Sequence, residues 1–384
     1  MRRTFTLFAL LSTGLLAGLL TSTMMAGRAA AGPTLLVDAQ TGKVLYAEDQ
    51  DDLWHPASLT KIMTAYITFE ALKAGKLTLE TKITNSENAS LQPPSKIGLP
   101  VGAEMTVDLA LRSLIIKSAN DVAMNLAEAI GGSEQAFVEM MNATAKKLGM
   151  TRTTFVNPNG LPAPEQITTA RDLAKLSRAV IEKFPEHAHY WSMADMRIGR
   201  IYIPTHNGLL KSFEGADGLK TGFICDSGYN IVATATRDGR KLVAVVLGEA
   251  TGRDRNIRAA SLLDHGFATY GWKDMLGAST LDRMPVQANA RGISSIRQEV
   301  MNFSCNGRRH RSANVVAKAR QARAKATKAA ATRPTGAVPQ TTGSTGKEPA
   351  AAKAQAAPKT KAALANSTPA LAPAAKAAAT KAQQ

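Results

Sequence analysis

Hydrophobic and polar positions follow one pattern near the two ends of the first 270 residues and another pattern between them. Near the start, apolar runs at 35–38 and 43–46 flank a turn that contains glycine, which predicts a β-hairpin. Further on, apolar runs at 229–236 and 241–247 flank Asp238-Gly239, a strong signal for a second hairpin. Each end of this region is therefore predicted to contribute a pair of strands.

Between the hairpins, apolar residues recur every three or four positions, which predicts helices. These run from Ser58 to Gly75, over 107–116, over 121–130, from Ser133 to Gly149 and over 169–184, and a closing helix follows over 253–270. Polar, turn-rich stretches predict a loop at 153–168, and a loop lobe or short strands at 82–99. Helices enclosed by hairpins predict an α/β (α+β) fold, in which a largely antiparallel sheet from both chain ends packs with a helical region.

The first 31 residues have the composition of a secretory signal peptide. Arg2 and Arg3 precede a largely apolar stretch at 5–20, which is short of the roughly 20 residues that a membrane span needs. The small residues at 29–31 suit cleavage after Ala31; cleavage after Ala26 or an uncleaved anchor are the alternatives. We expect an exported protein, periplasmic or otherwise extracytoplasmic, that is soluble or peripherally attached.

The formal net charge of +17 is distributed unevenly along the chain. Residues 308–384 contain fifteen Lys or Arg against one acid, and the signal contains three Arg, so 32–307 has no net charge. The tail at 308–384 also lacks Phe, Tyr and Trp and consists mostly of Ala, Lys, Thr, Pro and Gln, which predicts disorder. The remaining chain suits one catalytic domain at 32–275 and a short appended segment at 276–307, with a strand and a helix as one interpretation of the latter.

A Ser-x-x-Lys motif stands where the first long helix begins. Ser58 and Lys61 are one turn apart on the same helix face, so a neutral Lys61 could take the proton of the Ser58 hydroxyl. Unpaired backbone N–H groups at the helix start could stabilise an oxyanion. The motif alone is weak, because Ser344 and Lys347 repeat it in the tail, and an N-cap serine with a solvated lysine behind it is the alternative.

Two further motifs follow in order. Ser-x-Asn recurs along the chain, for example at Ser86, Ser118 and Ser312, but only Ser118 lies between two predicted helices, where a side chain can project into a cleft. Lys220-Thr221-Gly222 occurs once, in a turn-to-strand context. The trio of motifs in this order, behind a signal peptide, indicates a serine acyl-enzyme.

With these motifs, residues 34–270 resemble the low-molecular-weight penicillin-binding proteins, the D-alanyl-D-alanine carboxypeptidases. The segments 36–42, 206–210 and 228–230 are similar to other landmarks of that family. The resemblance implies a β-lactamase/D,D-peptidase-like fold. It also implies that Ser58 attacks the carbonyl between two D-alanines of a peptidoglycan stem pentapeptide, forming an acyl-enzyme that water hydrolyses, and that β-lactams bind and inhibit.

The resemblance also implies the roles of the other site residues. Lys61 would take the Ser58 proton, Ser118 would relay a proton to the leaving amine, and Asn120 would bind the substrate amide and Lys61. Lys220 would hold positive charge near the terminal carboxylate and lower the pKa of Lys61. Thr221 and Arg255 would bind the terminal carboxylate of the substrate. Gly222 would let the substrate backbone lie close to the strand. The backbone N–H groups of Ser58 and Phe223 would form the oxyanion hole. Arg253 and Arg258 compete with Arg255 for the carboxylate-binding role.

Three alternatives to the carboxypeptidase remain open. A D,D-endopeptidase and a β-lactamase share the nucleophile. A β-lactamase would need a glutamate in the loop 157–169 to hold the hydrolytic water, followed a few residues on by an asparagine. Glu165 lies in this loop, but no asparagine follows it at that spacing, so a solvated side chain is the favoured interpretation. A non-catalytic binder would attach to the wall or to DNA through the basic tail. The signal peptide argues against nucleic acid, and we expect the tail to bind an anionic wall or membrane surface; the oligomeric state is left open.

Histidine and cysteine patterns change this interpretation little. His187 and His189 lack a third ligand at a recognisable spacing, so we expect a surface pair, no metal and no cofactor. Cys225 and Cys305 are the only cysteines, and in an exported protein they can pair, although two reduced, buried cysteines are the alternative. We predict a disulfide that holds 276–307 near the strand of Lys220.

Overall fold

A computed structural model describes residues 32–275, 277 and 279–301, and for 272–275 the backbone alone. The chain divides into two units, Met1–Ala330 and Ala331–Gln384, and every described residue lies in the first. The predicted signal peptide, Cys305 and the tail at 308–384 lie outside the described residues. No helix in the described ranges is long and apolar enough to cross a membrane.

The main sheet has five antiparallel strands in the order β2-β1-β9-β8-β7. Its strands are β1 (Thr34–Asp38), β2 (Val44–Glu48), β7 (Ala216–Ile224), β8 (Gly228–Arg237) and β9 (Arg240–Glu249), and two small sheets pair β3 (Lys82–Thr84) with β4 (Glu104–Thr106) and β5 (Asp195–Ile198) with β6 (Ile201–Pro204). Both predicted hairpins are present, and β1 pairs with β9, which joins the early strands to the late ones. The predicted α/β (α+β) fold class, with an antiparallel sheet from both ends, is confirmed.

Ten α-helices lie in the described ranges. They are α1 (Lys61–Lys73), α2 (Glu87–Ser90), α3 (Val107–Arg112), α4 (Asn120–Gly131), α5 (Glu134–Lys147), α6 (Ala170–Lys183), α7 (His189–Ser192), α8 (Leu209–Ser212), α9 (Gly252–Met275) and α10 (Arg297–Val300). Leu262 and Leu263 of α9 belong to the core on one face of the sheet, and α1 and α6 lie in the larger core on the other face. The nine residues from Lys61 to Phe69 are all buried, so α1 is a central helix and not the amphipathic one that its apolar stripe predicts.

Side-chain caps mark several helix starts where the sequence predicts them. Thr106, Ser133 and Thr169 each accept a hydrogen bond from the backbone N–H three residues later. The helix predicted at 107–116 is different in detail, because α3 ends at Arg112 and a π-helical turn, Ser113–Lys117, continues it. That turn ends at Ser118, which has a left-handed φ of 59°.

The region between α6 and β7 contains elements that periodicity does not predict. Here a 3-10 turn, Pro185–His187, is followed by α7, the β5–β6 hairpin and α8. Each of these helices and strands has four or fewer residues, which is too short for a periodic pattern of apolar residues to be recognised. In the appended segment, the described residues contain a single bridge between Thr280 and Lys43 and the short helix α10.

Candidate active site

Ser58 lies in a tight turn that enters the central helix. The turn is a 3-10 helix, Ala57–Thr60, with Pro56 at its N-cap, rather than the first turn of an α-helix. Gly160 packs against it so closely that an added Cβ would lie 1.8 Å from the Ala57 carbonyl oxygen. The loop that contains Gly160 therefore supports the turn from outside, which holds the Ser58 side chain in place.

Lys61 follows directly and is completely buried, so the alternative of a solvated lysine is wrong. Its Nζ lies 3.0 Å from Ser58 Oγ, and donates to Asn120 Oδ1 at 2.8 Å and to the Asn159 carbonyl oxygen at 2.6 Å. Burial and the positive charge of Lys220 hold the pKa of Lys61 well below its ordinary value, against the raising effect of Asp121. A neutral amine has two N–H donors and one lone pair, so with both donors engaged the lone pair is available to the Ser58 hydroxyl.

Ser118 projects from the left-handed position after the π turn. It is 8% exposed, and its Oγ accepts a hydrogen bond from Lys220 Nζ at 2.9 Å. Ser86, which begins a competing Ser-x-Asn motif, instead caps α2 by accepting from the Ala89 N–H. The structure thus brings Ser118, and not Ser86, to Lys220.

Asn120 is the first residue of α4, and three backbone or side-chain partners fix it. Besides accepting the bond from Lys61, Asn120 donates from its Nδ2 to the Pro93 carbonyl oxygen at 2.8 Å. Its backbone N–H donates to the Ser95 carbonyl oxygen at 2.7 Å. The neighbouring Asp121 carboxylate accepts from the backbone N–H groups of Ile97 and Gly98. The turn-rich lobe near residues 92–98 therefore holds the amide that faces Lys61.

The Lys-Thr-Gly motif lies within β7, the edge strand, rather than at a turn-to-strand junction. Lys220 is 1% exposed, and burial together with the charge of Arg255 lowers its pKa to about 7. A Cβ added at Gly222 would lie 2.9 Å from the Pro56 carbonyl oxygen and 3.1 Å from the backbone nitrogen of Ser58. The absence of a side chain at Gly222 thus lets β7 run against the Ser58 turn.

Arg255 is the arginine that the structure brings to this cleft. It lies on α9, is 6% exposed, and its Nη2 donates to Asn256 Oδ1 at 2.8 Å. Burial lowers its pKa to about 10. Arg258 instead forms ion pairs with Glu48 and Glu249, and Arg253 is exposed.

The loop after α5 contains a site residue that sequence reasoning missed. The backbone carbonyl of Asn159 accepts from Lys61, and the adjacent Pro158 carbonyl accepts from Thr64 of α1 at 2.6 Å. The turn composition around Pro158, Asn159 and Gly160 predicted a loop, but a backbone acceptor leaves no side-chain signature. Glu165 of the same loop is exposed, as the favoured interpretation predicted.

His206 is a second residue whose role in the cleft was missed. Its side chain is exposed, but partial desolvation at the cleft and then the positive charges of Lys220, Lys117, Arg255 and Lys61 lower its pKa to about 4. Position 206 was expected only as part of the family landmark at 206–210, with no role of its own.

The histidine and cysteine expectations concern other parts of the structure. His187 is half-buried with its ring stacked on Phe69 at 4.5 Å, whereas His189 is exposed. Among the described residues, no three metal-binding side chains form a cluster. Cys225 packs partly buried against the main core, and because Cys305 lies outside the described residues the predicted pairing stays a prediction.

Comparisons with known proteins agree on one family. Residues 21–251 match the model of the peptidase family S11, described as D-alanyl-D-alanine carboxypeptidase. The chain is 40% identical over 240 residues to the D-alanyl-D-alanine carboxypeptidase DacC of Escherichia coli. This match covers 61% of this chain and 60% of the relative.

Two solved structures extend this similarity. Penicillin binding protein 5 from Haemophilus influenzae aligns with a TM-score of 0.60 and 37% identity over 62% of this chain and 71% of its own. Penicillin-binding protein D2 from Listeria monocytogenes, in its ampicillin-bound form, aligns with a TM-score of 0.56 and 30% identity over 62% of this chain and 97% of its own. The chain spans about three fifths of the length of the curated relatives that it matches.

Proposed function

Since this chain belongs to the D-alanyl-D-alanine carboxypeptidase family of peptidases, we propose that it is itself a serine-type D-alanyl-D-alanine carboxypeptidase. Its substrates are peptidoglycan stem pentapeptides, from which it removes the terminal D-alanine, and penicillins inhibit it. One observation supports the proposal above all: a fully buried Lys61, with its pKa strongly lowered, lies 3.0 Å from Ser58 Oγ. A lysine with a purely structural role gains nothing from a lowered pKa, whereas a general base must be neutral to accept a proton.

Acylation begins at the bond between the two D-alanines. Ser58 Oγ attacks the carbonyl carbon while its proton passes to neutral Lys61 Nζ, and the carbonyl oxygen becomes an oxyanion. The backbone N–H groups of Ser58 and Phe223 stabilise that charge, and such donors act most strongly where they are already in position. Support for this arrangement comes from the close approach of β7 to the Ser58 turn at Gly222.

Collapse of the tetrahedral intermediate breaks the C–N bond. The leaving amine needs a proton, which Ser118 donates. The proton that Lys61 accepted from Ser58 then passes to Ser118. The hydrogen bond from Lys220 to Ser118 holds this hydroxyl in the cleft. Free D-alanine leaves, and water attacks the ester while its proton passes to the again neutral Lys61. As the ester bond to Ser58 Oγ breaks, Lys61 returns that proton to Oγ, which restores the hydroxyl and the neutral lysine.

The positive end of the cleft supports a substrate with a free carboxylate. Lys220 and Arg255 are both buried there without a carboxylate partner among the described residues, and Thr221 adds a hydroxyl beside them. A substrate carboxylate would compensate these charges, which favours attack next to the end of a peptide chain. A D,D-endopeptidase, which cuts a cross-link instead, is the alternative with the same nucleophile.

A β-lactamase is supported less well. It requires a base that activates water after acylation, and the candidate Glu165 is exposed to solvent in the loop. The opened penicillin ring also keeps its leaving group tethered beside the ester, which blocks water. We therefore propose that penicillin forms a long-lived adduct.

Export, the tail and the cysteines complete the proposal. Residues 1–31 direct export to the periplasm or another extracytoplasmic space, and the tail at 308–384 adds salt-sensitive affinity for an anionic wall or membrane surface. Truncation after Gly307 should leave turnover of a soluble peptide unchanged; a large loss with the fold intact would contradict this role. Thiol titration of the unfolded, unreduced protein tests the Cys225–Cys305 bridge, and two free thiols would refute it.

Release of D-alanine from a pentapeptide tests the proposed function. We expect release by the wild type and a fall of about 10³-fold or more in Ser58→Ala, because the nucleophile is lost. Ser118→Ala should also fall sharply, whereas Ser86→Ala, which removes a helix cap from the competing motif, should keep its activity. A Ser58→Ala variant as active as the wild type would refute the proposal.

A further inference from the structure

A segment after the last long helix crosses the molecule and connects two turns of the main sheet. We call residues 279–301 the strap. At its start, the Ser279 carbonyl accepts from the Val44 N–H, and the Leu281 N–H donates to Gly42 in the β1–β2 turn. The strap lies beyond residues 21–251, where the family model matches, so membership of the family assigns it no role.

The middle of the strap is held by an arginine of the body. Arg171 of α6 is 5% exposed and forms an ion pair with Asp51, and the same guanidinium donates to the carbonyl oxygens of Leu281, Met284 and Pro285. Further along, Arg291 pairs with Asp52 and Asp49. These contacts fix the path of the strap toward β7.

The strap ends at the turn between β7 and β8. Asp226 in that turn accepts from Arg297 Nε at 2.5 Å and Nη2 at 2.6 Å, and from Ser295 Oγ at 3.3 Å. The backbone N–H of Ile296 donates to the Asp226 carbonyl at 3.1 Å. The Ile296 side chain fills the space over Gly228, where an added Cβ would lie 2.3 Å from its Cδ1.

The same turn is connected to the nucleophile. Trp54 Nε1 donates to the Ser227 carbonyl at 3.1 Å, and Asn230 Nδ2 donates to the His55 carbonyl at 3.1 Å and to Ser227 Oγ at 3.2 Å. Trp54 and His55 immediately precede the Ser58 turn. The β7–β8 turn is thus held between the strap on one side and the approach to Ser58 on the other.

We propose that Arg297 is a positioning residue, which acts through Asp226 to hold the end of β7 and thereby the backbone N–H of Phe223 in the oxyanion hole. This inference rests on the proposed function. Phe223 lies three residues before Asp226 on an edge strand, so β8 supports it on one side alone. An edge strand that carries an oxyanion donor needs a further restraint, because small displacements of such a donor slow the reaction strongly.

A double-mutant cycle tests the inference. In Arg297→Gln, we expect about a tenfold fall in the rate of Ser58 acylation by a fluorescent penicillin, and the same fall in kcat for a pentapeptide. KM should stay within about twofold, because an oxyanion donor contributes in the transition state. Asp226→Asn should give the same fall, and the double variant no further fall, since the two residues act through one contact.

The matched control is Arg291→Gln, which removes an arginine–carboxylate pair from the same strap without touching the β7–β8 turn. Both arginines are partly exposed, and the buried Asp52 keeps its hydrogen bond from the backbone N–H of residue 291, so thermal unfolding should change little in either variant. Arg291→Gln should acylate like the wild type. Equal acylation by wild type and Arg297→Gln, or equal losses in the two arginine variants, would overturn the assignment; a wild type unreactive toward penicillin would overturn the proposed function and this inference together.

Discussion

Two buried lysines explain at the residue scale how the cleft can hold both a base and a cation. Desolvation lowers the pKa of both. The charge of Lys220 lowers the pKa of Lys61 further, against the raising effect of Asp121, and the charge of Arg255 lowers the pKa of Lys220 further. Lys220 stays cationic below its pKa of about 7, and the proposed chemistry requires Lys61 to lose its proton before Lys220 does. We therefore expect kcat/KM to rise with pH as Lys61 becomes neutral, and to fall again as Lys220 loses its charge.

Arg255→Gln tests this electrostatic order. After burial, the Arg255 charge is what lowers the pKa of Lys220, so its removal should raise that pKa and move the alkaline limb of kcat/KM to higher pH. The maximum should also fall, by about 10- to 100-fold, because a charged contact to the substrate carboxylate is lost.

A pH profile of kcat/KM from about 5 to 10 measures both effects, because this range contains the lowered pKa of Lys220, about 7, and leaves room for that pKa to rise. The exposed neighbour Arg253 provides the control, since Arg253→Gln should shift neither limb. An alkaline limb that stays in place in Arg255→Gln would contradict the proposed control of Lys220.

At the scale of elements, the site depends on how closely β7 approaches the Ser58 turn. The approach is possible because position 222 has no side chain, and a Cβ there would meet backbone atoms of Pro56, Ser58 and Leu59. Backbone cannot rotate away as a side-chain end can, so a larger residue must push the two elements apart.

Gly222→Ala should therefore reduce kcat/KM on the order of 100-fold, because a displacement of about 1 Å misaligns nucleophile and oxyanion donors. We expect unfolding to become easier by about 1–3 kcal/mol, as for other overpacked sites. Gly271→Ala on α9 is the matched control, since nothing lies within 4 Å of an added Cβ there. Enzyme assays and thermal unfolding compare the two, and an equally active Gly222→Ala would show that the close approach is unimportant.

The elements also show what a sequence can predict. Hairpins around Asp238-Gly239 and helices capped by Thr106 and Thr169 were predictable, because turn and cap residues act locally. The π turn before Ser118 and the elements at 185–212 were not, because packing rather than local preference determines them. Similarly, the burial of α1 on all sides from Lys61 to Phe69 follows from elements that cover it later in the chain.

At the scale of the whole molecule, the site combines residues that are predictable with others that only the fold brings together. Ser58, Lys61, Ser118, Asn120 and Lys220 were found because their side chains recur in recognisable motifs. The Asn159 carbonyl has no such motif. The Arg297–Asp226 pair joins residues 71 positions apart, and neither side chain is part of a recognisable pattern. Contacts of this kind depend on tertiary structure alone.

Intact-mass spectrometry after mixing with penicillin tests the central claim most directly. The claim is that Ser58, activated by buried Lys61, forms an acyl-enzyme that is slow to hydrolyse, because the tethered leaving group blocks water and the exposed Glu165 does not serve as a second base. We predict that the protein gains the mass of one penicillin, that peptide mapping locates it on Ser58, and that the adduct persists while a D-alanyl-D-alanine peptide is turned over. A protein that never gains this mass, or that returns rapidly to its unmodified mass while consuming penicillin steadily, would contradict the account.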